Sequence, residues 1–178
     1  IFVKNLGETY HSIHGAAQEA LHVYIENGMK RCDKTHLSIL EMGFGTGLNF
    51  VLSYQTALAQ NRSLDYVGVE AYPITEQEWK LLNYDDIAGN IPHRLHDIHS
   101  LEWNIKQSLN ESIWLTKVHS TFENLELSQS FDVVYYDAFG YNYQPELWSL
   151  ELFHKMNNLL HSEGILVTYA CKGIIKQN

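Results

Sequence analysis

Glu41-Met42-Gly43-Phe44-Gly45-Thr46-Gly47-Leu48-Asn49-Phe50 is the stretch on which the reading of the fold turns. An apolar run, Leu37-Ser38-Ile39-Leu40, precedes it, and a segment of helical character, Leu48 to Ala59, follows it. Gly43, Gly45 and Gly47 alternate through what must be a sharp strand-to-helix turn. Glycine tolerates positive φ and lets backbone approach a ligand closely. A helix that starts after such a turn offers unpaired N–H groups and a favourable dipole. The spacing is E-x-G-x-G-x-G, distinct from the G-x-G-x-x-G of a dinucleotide site.

Outward from this turn, strands and helices alternate. Leu37–Met42 is the first strong strand and Leu48–Ala59 the first strong helix; 65–70 reads as a second strand, ended by Pro73. Thr75 and Glu78 have the spacing of a capping box for a helix through Leu82. The stretch 84–112 is ambiguous, mostly helix and loop. Further strands are predicted at 113–118, 131–136 and 165–170, with a helix over 145–160 that has Pro145 at its start. Before the turn, 8–14 suits a short strand or hairpin arm, and the apolar spacing of Ala17, Ala20, Leu21, Tyr24 and Ile25 predicts a helix over 16–27, stopped by Gly28. This alternation predicts a single α/β domain whose mainly parallel sheet carries helices on both faces. Phe131-Asp132-Val133-Val134-Tyr135-Tyr136 has the near-continuous apolar character of a strand buried on both sides.

Ligands of such sheets bind at the carboxyl ends of the strands. Three acids fall there: Glu41, Glu70 and Asp137. An acid closing the second strand suits the two ribose hydroxyls of an adenosine ligand, because a carboxylate accepts two hydrogen bonds from a vicinal diol. Glu41 would repel a pyrophosphate but favour a sulfonium or ammonium, which points to S-adenosylmethionine over NAD. Asn49, in the first helical turn, either donates to the methionine carboxylate of that ligand or is only a polar first-turn residue. Asp137 is placed to orient an acceptor amine and help take its proton, since an alkylamine with a pKa of roughly 10 must lose a proton before it can attack. Its plainer alternative is a turn aspartate before Pro145.

The chain resembles the methyltransferase domain of the MnmC-type tRNA 5-methylaminomethyl-2-thiouridine biosynthesis family. Three blocks carry the resemblance: Glu41–Phe50; Asp137-Ala138-Phe139 with Pro145-Glu146-Leu147-Trp148 and Leu152-Phe153; and Tyr10-His11-Ser12 with Gly15, Glu19 and His22-Val23-Tyr24-Ile25. They span about residues 8 to 171, with 1–36 as an N-terminal extension and 37–178 as the core. The resemblance implies a class I, Rossmann-like methyltransferase that uses S-adenosylmethionine to methylate the 5-aminomethyl group of a wobble uridine in tRNA. It implies that Glu41, Gly43, Phe44, Gly45, Thr46, Gly47, Asn49, Glu70, Thr121 and Asp137 surround the cofactor, with Asp137 between cofactor and amine. Thr121 stands where the family has an acid near the adenine, and Glu123 is the nearby acid that could substitute. Tyr10, Tyr141 and Tyr143 are candidate substrate contacts, in a region where Gly140–Gln144 lacks the lysine of many relatives. Family members continue past the fifth strand into a helix and a final hairpin, so the C-terminal hairpin is expected to be missing here. Bifunctional relatives carry a second, flavin-dependent oxidase domain, so the chain reads as a stand-alone methyltransferase, with a separate oxidase acting upstream, or as an excised domain.

Composition sets the remaining bounds. An apolar fraction of 45% and a charged fraction of 19% over 178 residues are ordinary for a globular domain. No apolar run approaches the roughly 18 residues of a membrane span, so no membrane partner is expected. Two cysteines without a C-x-x-C pair suit a reducing cytoplasm. The net charge of −9 disfavours nonspecific nucleic-acid binding, which leaves a small-molecule amine as an alternative acceptor; a non-catalytic S-adenosylmethionine-binding module is a second alternative. His93, His96 and His99 recur every three residues, but no H-E-x-x-H pattern accompanies them, so a solvated polar face is expected rather than a metal site. Trp79, Trp103, Trp114 and Trp148 are mostly core candidates, and Cys171 reads as a buried or half-buried thiol.

Overall fold

The computed structural model describes residues 2–3, 8–9, 13–82, 87, 91–92 and 95–170. Tyr10, His93 and Cys171, singled out above, lie outside the described residues. Two short strands, β1 (Phe2–Val3) and β2 (Glu8–Thr9), pair antiparallel. Helix α1 (Ile13–Ala20) runs directly into a π-helical segment, Leu21–Glu26. The helix thus begins earlier than expected and changes geometry halfway along.

The main sheet contains β3 (His36–Met42), β4 (Ser63–Glu70), β5 (Lys106–Ser108), β6 (Ile113–His119), β7 (Phe131–Tyr136) and β8 (Leu160–Val167). Its order is β5-β6-β4-β3-β7-β8. Every neighbouring pair is parallel except β5 with β6. The crossovers run through α2 (Leu48–Ala59), the short helices α3 (Glu76–Trp79) and α4 (Leu95–Ser100), and α5 (Leu150–Leu159). None of the helices among the described residues is long and apolar enough to cross a membrane.

Strand parity sorts the central residues onto two faces. Leu37, Ile39, Leu64, Tyr66, Val133 and Tyr135 pack with Tyr24, Ile25, Phe50 and Tyr54 on one side. Leu40, Met42, Val67, Val69, Val134 and Tyr136 pack with Phe122, Leu152 and Met156 on the other. Alternate residues of a strand point to opposite faces, so burying both faces requires the continuous apolar runs that these strands carry.

Three expectations are corrected. The helix placed over 145–160 is a 3-10 turn, Pro145–Trp148, followed by α5; the Ser149 side chain caps α5 by accepting from the Leu152 N–H. The last strand begins at Leu160, before Gly164, instead of at 165, with a register shift between Phe131 and Val133 and a positive φ of 85° at Glu163. The ambiguous stretch contains the antiparallel edge strand β5, whose polar residues, Lys106-Gln107-Ser108, give no alternation of apolar side chains. By contrast, the Thr75–Glu78 capping box forms in both directions.

Candidate functional site

The carboxyl ends of β3, β4 and β7 are tied together by backbone bonds. Gly43 and Phe44 N–H groups both donate to the Val69 carbonyl, at 3.0 and 2.9 Å, and Asp137 N–H donates to the Met42 carbonyl at 2.9 Å. The turn requires its glycines. Gly43, Gly45 and Gly47 have φ of 101°, 49° and 75°. A β-carbon on Gly43 would lie 2.6 Å from the Asp137 carbonyl oxygen. Gly47 caps α2 in the left-handed conformation, and the Gly45 N–H donates to Glu70 Oε2 at 2.9 Å. Glu70 Oε1 accepts from the Tyr72 N–H, also at 2.9 Å, so this acid braces the turn as well as closing β4.

Phe44 turns inward. Its ring covers Gly68 on β4, where a β-carbon would run into it, and lies edge-on to His99 and Trp103. The Thr46 carbonyl accepts from His99 Nε2 at 3.0 Å, so that ring nitrogen carries hydrogen. His99 is buried, stacks on Trp79 at 6.0 Å with an interplanar angle of 8°, and passes its own carbonyl to Lys117 Nζ at 2.7 Å. Burial pushes the His99 imidazole down to about 4 and the Lys117 ammonium down to about 8. The expected solvated histidine face is therefore corrected at His99, which pins the glycine turn, whereas His96 is exposed.

This gives a stability signature. His99 is neutral in the fold at pH values where the unfolded chain would take a proton. Its contribution is complete above about 6.5 and is lost as pH falls toward about 4. The stability advantage of wild type over a His99→Gln variant should therefore shrink by about 3 kcal/mol between pH 7 and pH 4, read by urea denaturation. A difference independent of pH would refute the burial of a neutral ring.

Glu41, Asn49 and Asp137 form one connected group. Asn49 Nδ2 donates both hydrogens, to Glu41 Oε1 at 2.8 Å and to Asp137 Oδ2 at 2.9 Å. Glu41 Oε2 accepts from the Tyr66 hydroxyl at 2.9 Å, and Asp137 Oδ1 accepts from the Tyr24 hydroxyl at 2.6 Å. Glu41 lies on the strand face covered by α2 and is 1% exposed. Burial, reinforced by Asp137, holds its carboxyl well above the usual range. Burial also pushes Asp137 up to about 6, against the hydrogen bonds from Tyr24 and Asn49. Neither lysine nor arginine nor histidine forms an ion pair with Glu41, Glu70 or Asp137 among the described residues.

Thr121 follows β6 beside the end of β4: the Ser120 N–H donates to the Glu70 carbonyl, and Thr121 Oγ1 accepts from the Asn124 N–H at 3.3 Å. The 121–123 segment is held by Lys155 Nζ, which donates to the Phe122 and Glu123 carbonyls. Tyr141 and Tyr143 are exposed on the loop that follows Asp137, in a turn closed by Tyr143 N–H to the Gly140 carbonyl. Tyr24, Tyr66 and His99 are the site residues that sequence reasoning missed. Tyr66 was accessible by parity, since it lies on the Glu41 face two residues before Gly68, the register partner of Glu41.

A family model described as S-adenosyl-L-methionine-dependent methyltransferase matches residues 82–178. The chain belongs to this family. The donor set suits the cofactor, because Glu70 and Asp137, with no ion-pair partner among the described residues, flank a glycine turn whose Gly43 leaves no room for a side chain, an environment that favours a cation. The methyltransferase is 25% identical over 187 residues to the tRNA 5-methylaminomethyl-2-thiouridine biosynthesis bifunctional protein MnmC of Marinomonas sp. (strain MWYL1), covering 96% of this chain and 27% of that protein. It is 30% identical over 182 residues to the MnmC protein of Magnetococcus marinus, covering 94% and 27%. It thus spans about a quarter of the length of these relatives. Among solved structures, MNMC2 from Aquifex aeolicus superposes with a TM-score of 0.72 at 23% identity, covering 94% of this chain and 55% of that one. A coclaurine N-methyltransferase bound to N-methylheliamine and SAH superposes with a TM-score of 0.51 at 13% identity, covering 90% and 37%. Both structures share the class I methyltransferase fold of this chain.

Proposed function

We propose that this methyltransferase transfers a methyl group from S-adenosylmethionine to the 5-aminomethyl nitrogen of a wobble uridine in tRNA, in the cytoplasm. The observation that carries the reading is Asp137, an acid at the carboxyl end of β7 that is tied at both oxygens and has no basic partner among the described residues. Kinship with the MnmC proteins supports the choice of acceptor.

When bound, S-adenosylmethionine supplies a methyl carbon on a sulfonium, which bonds to the amine nitrogen as its bond to sulfur breaks. Glu70 offers the remaining lone pairs of its carboxylate to the ribose diol, while Gly43, Gly45 and Gly47 bring the turn backbone close. Glu41 acts from beneath the turn without direct exposure, holding Asn49 in place by accepting from its amide. Asp137 orients the neutral amine and accepts the proton that the nitrogen sheds on methylation. Thr121 and the neighbouring 122–123 backbone border the adenine side, and Tyr141 and Tyr143 offer rings on which an unstacked base can rest. The aminomethyl group itself must be uncovered beforehand, and a flavin-dependent oxidase is the activity inferred for that step.

Incubation with methyl-labelled S-adenosylmethionine and tRNA from cells lacking the modification should place label on the wobble uridine. A net charge of −9 favours a second reading, a small amine as acceptor. Label found in small amines and absent from tRNA would establish that second reading instead.

A further inference from the structure

Asp137 is gripped from two sides. Asn49 reaches it from α2, and Tyr24 reaches it from the segment that precedes the whole parallel sheet, 113 positions away in sequence. Tyr24 is 3% exposed, and its ring packs on Tyr135 with centroids 5.1 Å apart. It sits in the π-helical stretch Leu21–Glu26, where Tyr24 and Ile25 are both buried. A π segment widens the helix, and such irregularities concentrate at functional sites. The chain then reverses tightly at Gly28. A β-carbon there would meet the Tyr24 carbonyl oxygen at 2.5 Å and would crowd Val167 and Tyr135 at 3.0 and 3.1 Å. Gly28 thus seats the end of this segment close to β7 and β8, and the Tyr24 ring rests on Tyr135 of β7. A phenylalanine would fill the same apolar space, so packing alone does not account for a hydroxyl aimed at the carboxylate.

We propose that Tyr24 is the positioning residue for Asp137: its hydroxyl fixes the rotation of the carboxylate, leaving the remaining lone pairs for the acceptor amine. The proposal rests on the reading of Asp137 given above. The hydroxyl is a dependable donor, because burial and the adjacent carboxylate push its ionisation far above the ordinary tyrosine range. The groups that bear on Asp137 are the donors Tyr24 and Asn49 and the acids Glu19, Glu41 and Glu70. With acids around it, the carboxylate depends on its two donors to remain ionised near neutral pH.

The test uses the full chain without cofactor or RNA. Carbon-13 labelling of aspartate side chains lets the Asp137 carboxyl be titrated by NMR, its resonance identified by its disappearance in Asp137→Asn. The wild-type midpoint is expected near 6. Tyr24→Phe should raise it by about one pH unit, since an uncharged donor to the ionised form is lost. Fluorotyrosine at position 24, a stronger donor of nearly the same shape, should lower it, so the idea does not depend on the phenylalanine variant folding. In turnover assays, Tyr24→Phe should reduce kcat about tenfold at neutral pH while leaving KM for S-adenosylmethionine within about twofold. Midpoints that ignore both substitutions, or a kcat left unchanged, would overturn the proposal. Equal losses in kcat and cofactor affinity would also overturn it, because they would mark a merely structural role. Failure of tRNA methylation in the wild type would instead sink the assigned substrate and leave the NMR midpoints standing.

Discussion

Asp137→Asn should lower kcat by about 10²–10³-fold while changing S-adenosylmethionine affinity only slightly, if Asp137 is the proton acceptor proposed above rather than chiefly a cofactor ligand. Asparagine preserves the size of the side chain and one acceptor oxygen, so the connection to Tyr24 or Asn49 survives in part. What disappears is the negative charge beside the amine. The pH profile gives a sharper test than the rate. The free amine is a minor species at neutral pH, with a reference pKa of roughly 10, so activity should fall about tenfold for each pH unit on that account alone. In the wild type a second loss sets in below about 6, where Asp137 itself takes a proton. The sign follows from burial, which raises its pKa and makes the ionised, working form the first casualty of acidification. The logarithmic slope should therefore steepen from about one to about two below that point in wild type and stay near one in the variant. A steep acid limb that persists in Asp137→Asn would remove Asp137 from the role of proton acceptor. Equal losses of turnover and cofactor affinity would make it a cofactor ligand.

Residues were legible in the sequence where one periodic signal decides the outcome. Leu37–Met42 and Phe131–Tyr136 could be read because parallel strands buried on both faces are mostly apolar, with Ser38, Glu41 and Asp132 as isolated polar positions. The Thr75–Glu78 cap was legible because both partners lie within four residues. The convergence of Glu41, Glu70 and Asp137 followed from placing acids at the carboxyl ends of parallel strands. Their partners did not follow. Tyr24 occupies an apolar helical position and looks like a core aromatic; only the π geometry and the reversal at Gly28 aim its hydroxyl. His99 carries no motif, and its bond to the Thr46 carbonyl depends on how α4 docks against the turn. Asn49 reads equally as a ligand donor or as a plain polar first-turn residue, whereas both of its amide hydrogens are given to the two acids. Strand β8 was read too late because His161-Ser162-Glu163 looks like a turn, and its pairing passes through an irregular register.

Gly43→Ala should be the most damaging small substitution in the site, costing about 2–4 kcal/mol of stability through two additive causes. The backbone at Gly43 has φ of 101°, a region closed to alanine without strain. The new methyl would also sit 2.6 Å from the Asp137 carbonyl oxygen, a backbone atom that cannot rotate away. Relief requires the ends of β3 and β7 to part. That movement would break the Asp137 N–H to Met42 carbonyl bond and draw Asp137 away from Tyr24 and Asn49. Cofactor affinity should fall by roughly tenfold or more, since each 1.4 kcal/mol of lost fit is a factor of ten. Gly140→Ala supplies the control on the same edge of the sheet. Its φ lies outside the left-handed region, and a β-carbon there would find only ordinary contacts, to Tyr169 and Tyr143 at 3.9 and 4.0 Å. It should stay within about 0.5 kcal/mol of wild type and keep its affinity. Urea denaturation and calorimetric titration with S-adenosylmethionine compare the two variants directly. If Gly43→Ala behaved like Gly140→Ala in both, the glycine turn would be a tolerant connection rather than the rigid floor that holds cofactor and Asp137 in register.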